Sequence, residues 1–201
     1  LYDFRRGADA GERLGPTRVT QAGILTPGQV RRGMIIVFGI TVIIGVYLIW
    51  HAGWPILVIG IAAILSAIAY TGGPFPLGYH GLGDVFVFVF FGLAATAGTY
   101  FVQAGTVSLL AWCMGACMGL LIVAILVVNN LRDIESDRVA GKRTLAVRMG
   151  VKATRLEYLL CIVGAYLIPL TLWLLGALPL AGLFVYLSIP LAWRCLRSMY
   201  S

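Results

Sequence analysis

Asn129–Gly150, reading NNLRDIESDRVAGKRTLAVRMG, interrupts a chain of long apolar runs with three acids and five cations. If its first half is helical, Asn129, Asp133 and Asp137 fall at successive i, i+4 positions and share one face, with neighbouring side chains about 5–6 Å apart. That face offers only hard oxygen donors. Such a set suits Mg²⁺, which is held through one or two carboxylates while water and phosphate oxygens fill its other positions. Lys142, Arg143 and Arg148 follow, and cations beside a carboxylate-bound metal form a cradle for a diphosphate. The plain alternative is a charged segment just outside a membrane, retained on the inner side by its positive residues.

Of 201 residues, 60% are hydrophobic and only 11% charged, with a mean hydropathy of +0.94. Soluble domains carry about 25% charged residues, so an integral membrane protein is expected. The net charge of +7 sits in short segments between apolar runs, as the positive-inside rule requires, and nucleic acid is excluded as a partner. Cys113, Cys117, Cys161 and Cys195 lie in or at the ends of apolar runs, where neither a disulfide framework nor a zinc site is expected. The chain opens at Leu1 on a charged segment without the pattern of a signal peptide. A single membrane-embedded domain over residues 1–201, lacking its own N-terminal end, is the expected organisation.

Apolar runs at 33–50, 54–71, 84–103, 106–128, 156–175 and 178–195 each approach the roughly 20 residues a transmembrane helix needs, which predicts six spans. Residues 1–32, with Arg5, Arg6, Arg13, Arg18, Arg31, Arg32, Asp3, Asp9 and Glu12, read as an interfacial loop, and 129–155 as a second charged loop. Together these two segments hold thirteen of the fifteen lysines and arginines, whereas the short linkers at 51–53, 104–105 and 176–177 hold none. Both charged segments, the Thr71–Asp84 loop and the Arg194/Arg197 end are therefore predicted on the cytoplasmic side. The loop TGGPFPLGYHGLGD (Thr71–Asp84) reads either as an irregular turn or as a substrate-facing lid, with Gly73, Tyr79, His80 and Asp84 as candidates. Asp84, opening an apolar span, also fits a helix cap. Gly115 and Gly119, like Cys113 and Cys117, are spaced i, i+4 and read as helix-packing positions.

Asp3 and Asp9, in DFRRGAD, give a second acidic cluster. Separated by four apolar runs, the two clusters fall on one membrane face, as two Mg²⁺ ions clamping one diphosphate would need. Without metal, so many close carboxylates repel one another.

Three stretches, YDFRRGAD…ERLGPTRVTQAG (Tyr2–Gly23), YTGGPFPLGYHGLGD (Tyr70–Asp84) and Asn129–Gly150, resemble the membrane prenyltransferases of the UbiA superfamily, and within it the branch that acts on 1,4-dihydroxy-2-naphthoate in menaquinone synthesis. The superfamily's two aspartate motifs are likewise separated by four spans. One departure is that the family's first motif begins with an Asn and an Asp before the position of Asp3, which this chain lacks. The resemblance implies an all-α polytopic transmembrane bundle, with six of eight or nine spans in this chain, around a cavity open to the cytoplasmic face and to lipid. It implies Mg²⁺ held by Asp3, Asp9, Asp133 and Asp137, with Arg18, Lys142 and Arg143 on the diphosphate. The substrates implied are a polyprenyl diphosphate and 1,4-dihydroxy-2-naphthoate, joined with loss of CO₂ to give a demethylmenaquinone in a bacterial inner membrane. Related enzymes using 4-hydroxybenzoate, homogentisate, a chlorophyllide or haem are the alternative within this class. A transporter or cation-binding protein is the alternative outside it, disfavoured because the apolar runs carry almost no ionisable groups and the acids collect at one interface.

Overall fold

Thr26 and Gln29 decide where the first helix begins. In the computed structural model, which describes residues 19, 20, 22–72 and 74–200, the Gln29 amide donates to the Thr26 hydroxyl at 3.3 Å and the Thr26 amide donates to the Gln29 side-chain oxygen at 2.8 Å. This reciprocal capping box, with Pro27 in the first turn, starts helix α1, Pro27–Ala52. Arg31 and Arg32, expected in an interfacial loop, therefore stand in the first turns of α1, because cap chemistry outreaches the apolar run. The chain continues through α2 (Trp54–Thr71), a 3₁₀ turn (Leu77–His80), α3 (Gly83–Ala104), α4 (Leu109–Arg132), α5 (Ile134–Val139), α6 (Leu145–Leu174) and α7 (Leu180–Tyr200). All except the short α5 are long and apolar enough to cross a bilayer, which gives the six expected spans, and no strand occurs among the described residues. The segment 129–155, expected as a loop, is mostly helical: α4 runs on through Asn129, and the Thr144 hydroxyl accepts from the Val147 amide at 3.4 Å to start α6 early.

Between apolar helices in lipid there is little hydrophobic drive, so association depends on close packing and interhelical hydrogen bonds. α4 supplies the centre. Its Val123, Ala124 and Val127 pack with Tyr158, Cys161 and Ile162 of α6 and Met199 of α7. On its other side α4 meets α3, which is π-helical over Phe88–Ala94, backbone against backbone. A Cβ on Gly92 would lie 2.7 Å from the Gly115 carbonyl oxygen, and one on Gly119 would lie 2.7 Å from the Phe88 ring. The helix-packing role expected of Gly115 and Gly119 is thus observed. α1 buries none of its residues; its Ile43, Tyr47 and Trp50 form a surface for lipid, and Trp50 and Trp54 flank the α1–α2 turn at the depth aromatic residues favour.

α6 departs from a regular helix twice. Gly150 has φ 77 and ψ 172, so α6 is a short first segment set at an angle to a long span. Further along, Pro169 has no N–H to give the Ala165 carbonyl, and the Cys117 thiol donates to that oxygen instead at 3.2 Å. The phenol of Tyr186 likewise donates to the Tyr166 carbonyl at 2.6 Å. In a bilayer, where water cannot satisfy freed carbonyls, these bonds let the helix carry a proline. All four cysteines are free.

The Cβ of Gly92→Ala would enter occupied space, and overpacking of this kind costs about 1–3 kcal/mol; the melting temperature in lipid or detergent is expected to fall. Gly39→Ala on α1, where nothing lies within 4 Å of the new Cβ, is the control and should melt like the wild type. Equal melting of the two variants would contradict the close α3–α4 contact.

Candidate functional site

α4 ends because Asp133 leaves helical geometry, at φ −95 and ψ 9, and the chain turns into α5. The turn keeps helical spacing nevertheless. The Asp133 amide donates to the Asn129 carbonyl at 3.0 Å and the Asp137 amide to the Asp133 carbonyl at 2.8 Å. Asp133 and Asp137 are both buried, at 5% and 6% exposure. Each has a cation of its own. Arg132 grips Asp133 with two bonds, Nε to Oδ1 at 2.9 Å and a terminal nitrogen to Oδ2 at 3.0 Å. Lys142 donates its amide to the Asp137 carbonyl at 2.8 Å and brings Nζ to 3.7 Å from Asp137 Oδ1. A carboxylate buried this far demands such a partner. Asn129 is exposed on the last turn of α4, one helical turn before the two buried carboxylates. Among the described residues no group of three or more His, Cys, Asp or Glu gathers as a metal site. Asp3, Asp9, Arg18 and Gly73 lie outside the described residues.

The glycine loop is fastened to this segment. The Arg143 amide donates to the Tyr79 carbonyl at 2.8 Å, and the Lys142 ammonium sits 5.0 Å from the Tyr79 ring centre, a cation–π distance. Gly81 packs so tightly here that a Cβ on it would lie 3.1 Å from the Arg143 carbonyl and 3.5 Å from Arg148 Nε. Lys142 is therefore held between Asp137 and Tyr79, while the Arg143 and Arg148 side chains are exposed beside it. His80 turns back on its own loop: Nδ1 lies 2.8 Å from the Pro76 carbonyl, which can only accept, and the ring stacks on Phe75 at 3.6 Å.

Asp84 occupies the second position of α3, and the residue at the cap is Leu82, so the helix-cap role weighed for Asp84 is not seen. Asp84 is 6% exposed, and its Oδ1 has no hydrogen-bond partner. Glu157 of α6, half-buried, is close enough for the two like charges to act on each other. Sequence reasoning passed over Glu157; a single acid inside the run 156–175 was the available signal. Between α1, α2 and α3 lies an apolar groove of about 770 Å³, lined by Phe38, Ile59, Ala63, Phe90 and Phe91 and by Tyr70 and Phe86 at its loop end. There the Tyr70 phenol oxygen presses on Gly83, 2.8 Å from where a Cβ would stand.

All of residues 1–201 match the profile of the UbiA prenyltransferase family. The 1,4-dihydroxy-2-naphthoate octaprenyltransferase of Escherichia coli is 39% identical over 196 residues, covering 94% of this chain and 63% of the relative. Its counterpart from Mycobacterium tuberculosis is 38% identical over 197 residues, covering 96% of this chain and 64% of the relative. A 2-carboxy-1,4-naphthoquinone phytyltransferase of Synechocystis is 32% identical over 149 residues, covering 74% and 48%. The chain thus spans just under two thirds of the two octaprenyltransferases. No solved structure matches it significantly. A six-span helical bundle with buried aspartates and a docked glycine loop at one end, matched by the family profile over its whole length, makes this chain a multi-pass membrane protein belonging to the UbiA prenyltransferase family.

Proposed function

We propose that this chain supplies much of the site of a membrane enzyme that transfers a polyprenyl group from its diphosphate to 1,4-dihydroxy-2-naphthoate, with decarboxylation, to give a demethylmenaquinol, the reduced form of a demethylmenaquinone. The observation that carries the reading is the pair of buried carboxylates, Asp133 and Asp137, each with its own cation, at the loop-bearing end of a bundle with an apolar groove. The names of the relatives supply the acceptor. The donor set fits Mg²⁺: two carboxylates leave coordination positions for water and diphosphate oxygens, with Asp3 and Asp9 proposed to hold a second ion from the first cluster. When bound, the metal neutralises charge on the diphosphate.

The rest of the chemistry belongs to the chain's own residues. Arg132 and Lys142 balance Asp133 and Asp137 before substrate arrives. Lys142, with Arg143, Arg148 and Arg18, faces the diphosphate and stabilises the negative charge that grows as the C–O bond breaks and its electron pair leaves with the diphosphate. The groove between α1, α2 and α3 holds isoprenoid chain away from water. The allylic cation is attacked by the naphthoate carbon that bears the carboxylate; a C–C bond forms, CO₂ departs, and the electrons of the broken bond restore the aromatic ring. The Tyr79–Gly81 turn, fastened to Arg143, closes one wall. The concentration of cations at this end supports a cytoplasmic orientation, and bacterial relatives support an inner-membrane location.

Full-length protein in lipid, given a polyprenyl diphosphate, Mg²⁺ and either dihydroxynaphthoate or 4-hydroxybenzoate, is expected to yield the prenylated naphthoquinol by mass; product from the benzoate alone overturns the acceptor. Asp133→Asn with Asp137→Asn is expected to lower turnover by about 10²-fold or more, on the scale of a lost charge-stabilising group. EDTA should stop the reaction and added Mg²⁺ restore it, while undiminished turnover in EDTA would rule out the metal. Lys142→Met is expected to raise the KM for the prenyl diphosphate about tenfold or more while leaving that of the acceptor in place, a loss of one charge-assisted contact; the reverse pattern would remove Lys142 from the diphosphate.

A further inference from the structure

Arg155 belongs to no part of the site described above. Its guanidinium, on α6, lies over the Tyr200 ring of α7 at 5.5 Å, and the Tyr200 phenol donates in turn to the Arg155 carbonyl at 3.4 Å. The side chain is thus held between two helices. Its Nε is shut off from solvent without a hydrogen-bond partner, and among the described residues no carboxylate pairs with it. Depth adds to the cost of this. Counted back from Leu174, the roughly 20 residues that cross a hydrocarbon core of about 30 Å end near Arg155, which puts the guanidinium at the level of the lipid phosphates. Lys152 lies one turn before Arg155 and Arg197 one turn before Tyr200, so each shares a face with the residue it precedes, and both are exposed. Exposed Leu156 and Trp193 continue this surface into apolar contact with the bilayer. Glu157 is about 200° round α6 from Arg155, and the carboxylate that acts on it is Asp84 of α3. Retention of cations at one membrane face and the helix dipole account for Lys152 and Arg197. They do not account for Arg155, because an arginine seeking water extends towards it rather than folding its Nε inward.

We propose that Lys152, Arg155 and Arg197 bind the headgroup phosphate of an anionic phospholipid whose acyl chains lie along Leu156 and Trp193, and that Tyr200 is the positioning residue that holds the Arg155 guanidinium for it. A phosphate brings acceptor oxygens and negative charge, the two things this cluster lacks, and a guanidinium matches its geometry. Basic pockets between transmembrane helices hold anionic headgroups in this way. Charge complementarity selects the lipid: in phosphatidylglycerol the phosphate charge is uncompensated, whereas in phosphatidylcholine the lipid's own ammonium cancels it. A free phosphate ion has no chains to match Leu156 and Trp193. The bound lipid ties the ends of α6 and α7 together at the end of the bundle that carries Asp133 and Asp137.

Full-length protein, delipidated in a neutral detergent, is titrated with phosphatidylglycerol or phosphatidylcholine, and bound lipid is counted by native mass spectrometry. Wild-type protein is expected to bind its first phosphatidylglycerol about tenfold more tightly than phosphatidylcholine. Arg155→Gln with Arg197→Gln should lower that preference fivefold or more, since one cation at a membrane surface is worth roughly fivefold. Tyr200→Leu, which removes no charge, should lower it in part. Arg31→Gln with Arg32→Gln, which removes two exposed charges from the start of α1, should leave it as in wild type. An equal loss in the two double variants would show attraction to general surface charge and overturn the site. Displacement of the lipid by millimolar inorganic phosphate would replace the lipid by a free ion, and a wild type without preference would overturn the proposal outright. Where the Arg155 variant has lost its cooperative melting, Lys152→Gln with Arg197→Gln, at two exposed positions, carries the same test.

Discussion

Two buried carboxylates with their cations hold the functional end of this bundle together. Asp137 draws Lys142 back across the turn between α5 and α6, at 3.7 Å, and Lys142 in turn sits over the Tyr79 ring. The next amide, that of Arg143, fastens the Tyr79 carbonyl. One acid–base pair thereby couples three segments remote in sequence: the end of α4 with α5, the start of α6, and the glycine loop. Removing either charge would leave the other buried without balance, which costs several kcal/mol in low dielectric, about 3–5 where it has been measured. A site that must receive a highly charged diphosphate beside lipid gains from having its charges already paired and fixed.

The bundle below serves that end by keeping backbones close where no water is available. Gly92 of α3 rests on Gly115 and Gly119 of α4, and the Cys117 thiol on the opposite side of the same helix closes the carbonyl that Pro169 leaves open in α6. α4 is thus fixed to a neighbour on each side, and its C-terminal end, where Arg132 and Asp133 lie, is held in place. By contrast α1 buries nothing, and its contacts with α2 and α3 enclose the apolar groove rather than a core. A rigid half that carries charge and a more open half that carries apolar volume suit a substrate with a diphosphate head and an isoprenoid tail.

Much of this was legible in the sequence because charge is scarce in it. In a chain that is 60% hydrophobic, hydropathy alone marks six spans, and any stretch as charged as Asn129–Gly150 stands out. The i, i+4 spacing of Asp133 and Asp137 and the packing role of Gly115 and Gly119 are consequences of helical periodicity, which needs no tertiary information. Helix ends were less legible, because the capping box at Thr26 and Gln29 and the hydroxyl of Thr144 extend α1 and α6 into segments that hydropathy assigns to loops. The Arg132–Asp133 pair was hidden for another reason. Adjacent residues do not face each other in a helix, and these two meet only because Asp133 has left it. Glu157 was overlooked since a single acid barely lowers the hydropathy of a long run; its meaning arises from Asp84, far away in sequence.

The central claim is that Asp133 and Asp137 take part in binding a prenyl diphosphate through a divalent metal. It is tested most directly by equilibrium binding of a non-reactive polyprenyl thiodiphosphate to the full-length protein in lipid nanodiscs, with Mg²⁺ or with EDTA. Tight binding that requires Mg²⁺, and that disappears when both aspartates are changed to asparagine in protein that still folds and melts cooperatively, is the predicted result. Binding of equal strength in EDTA, or in the doubly substituted protein, would contradict the account.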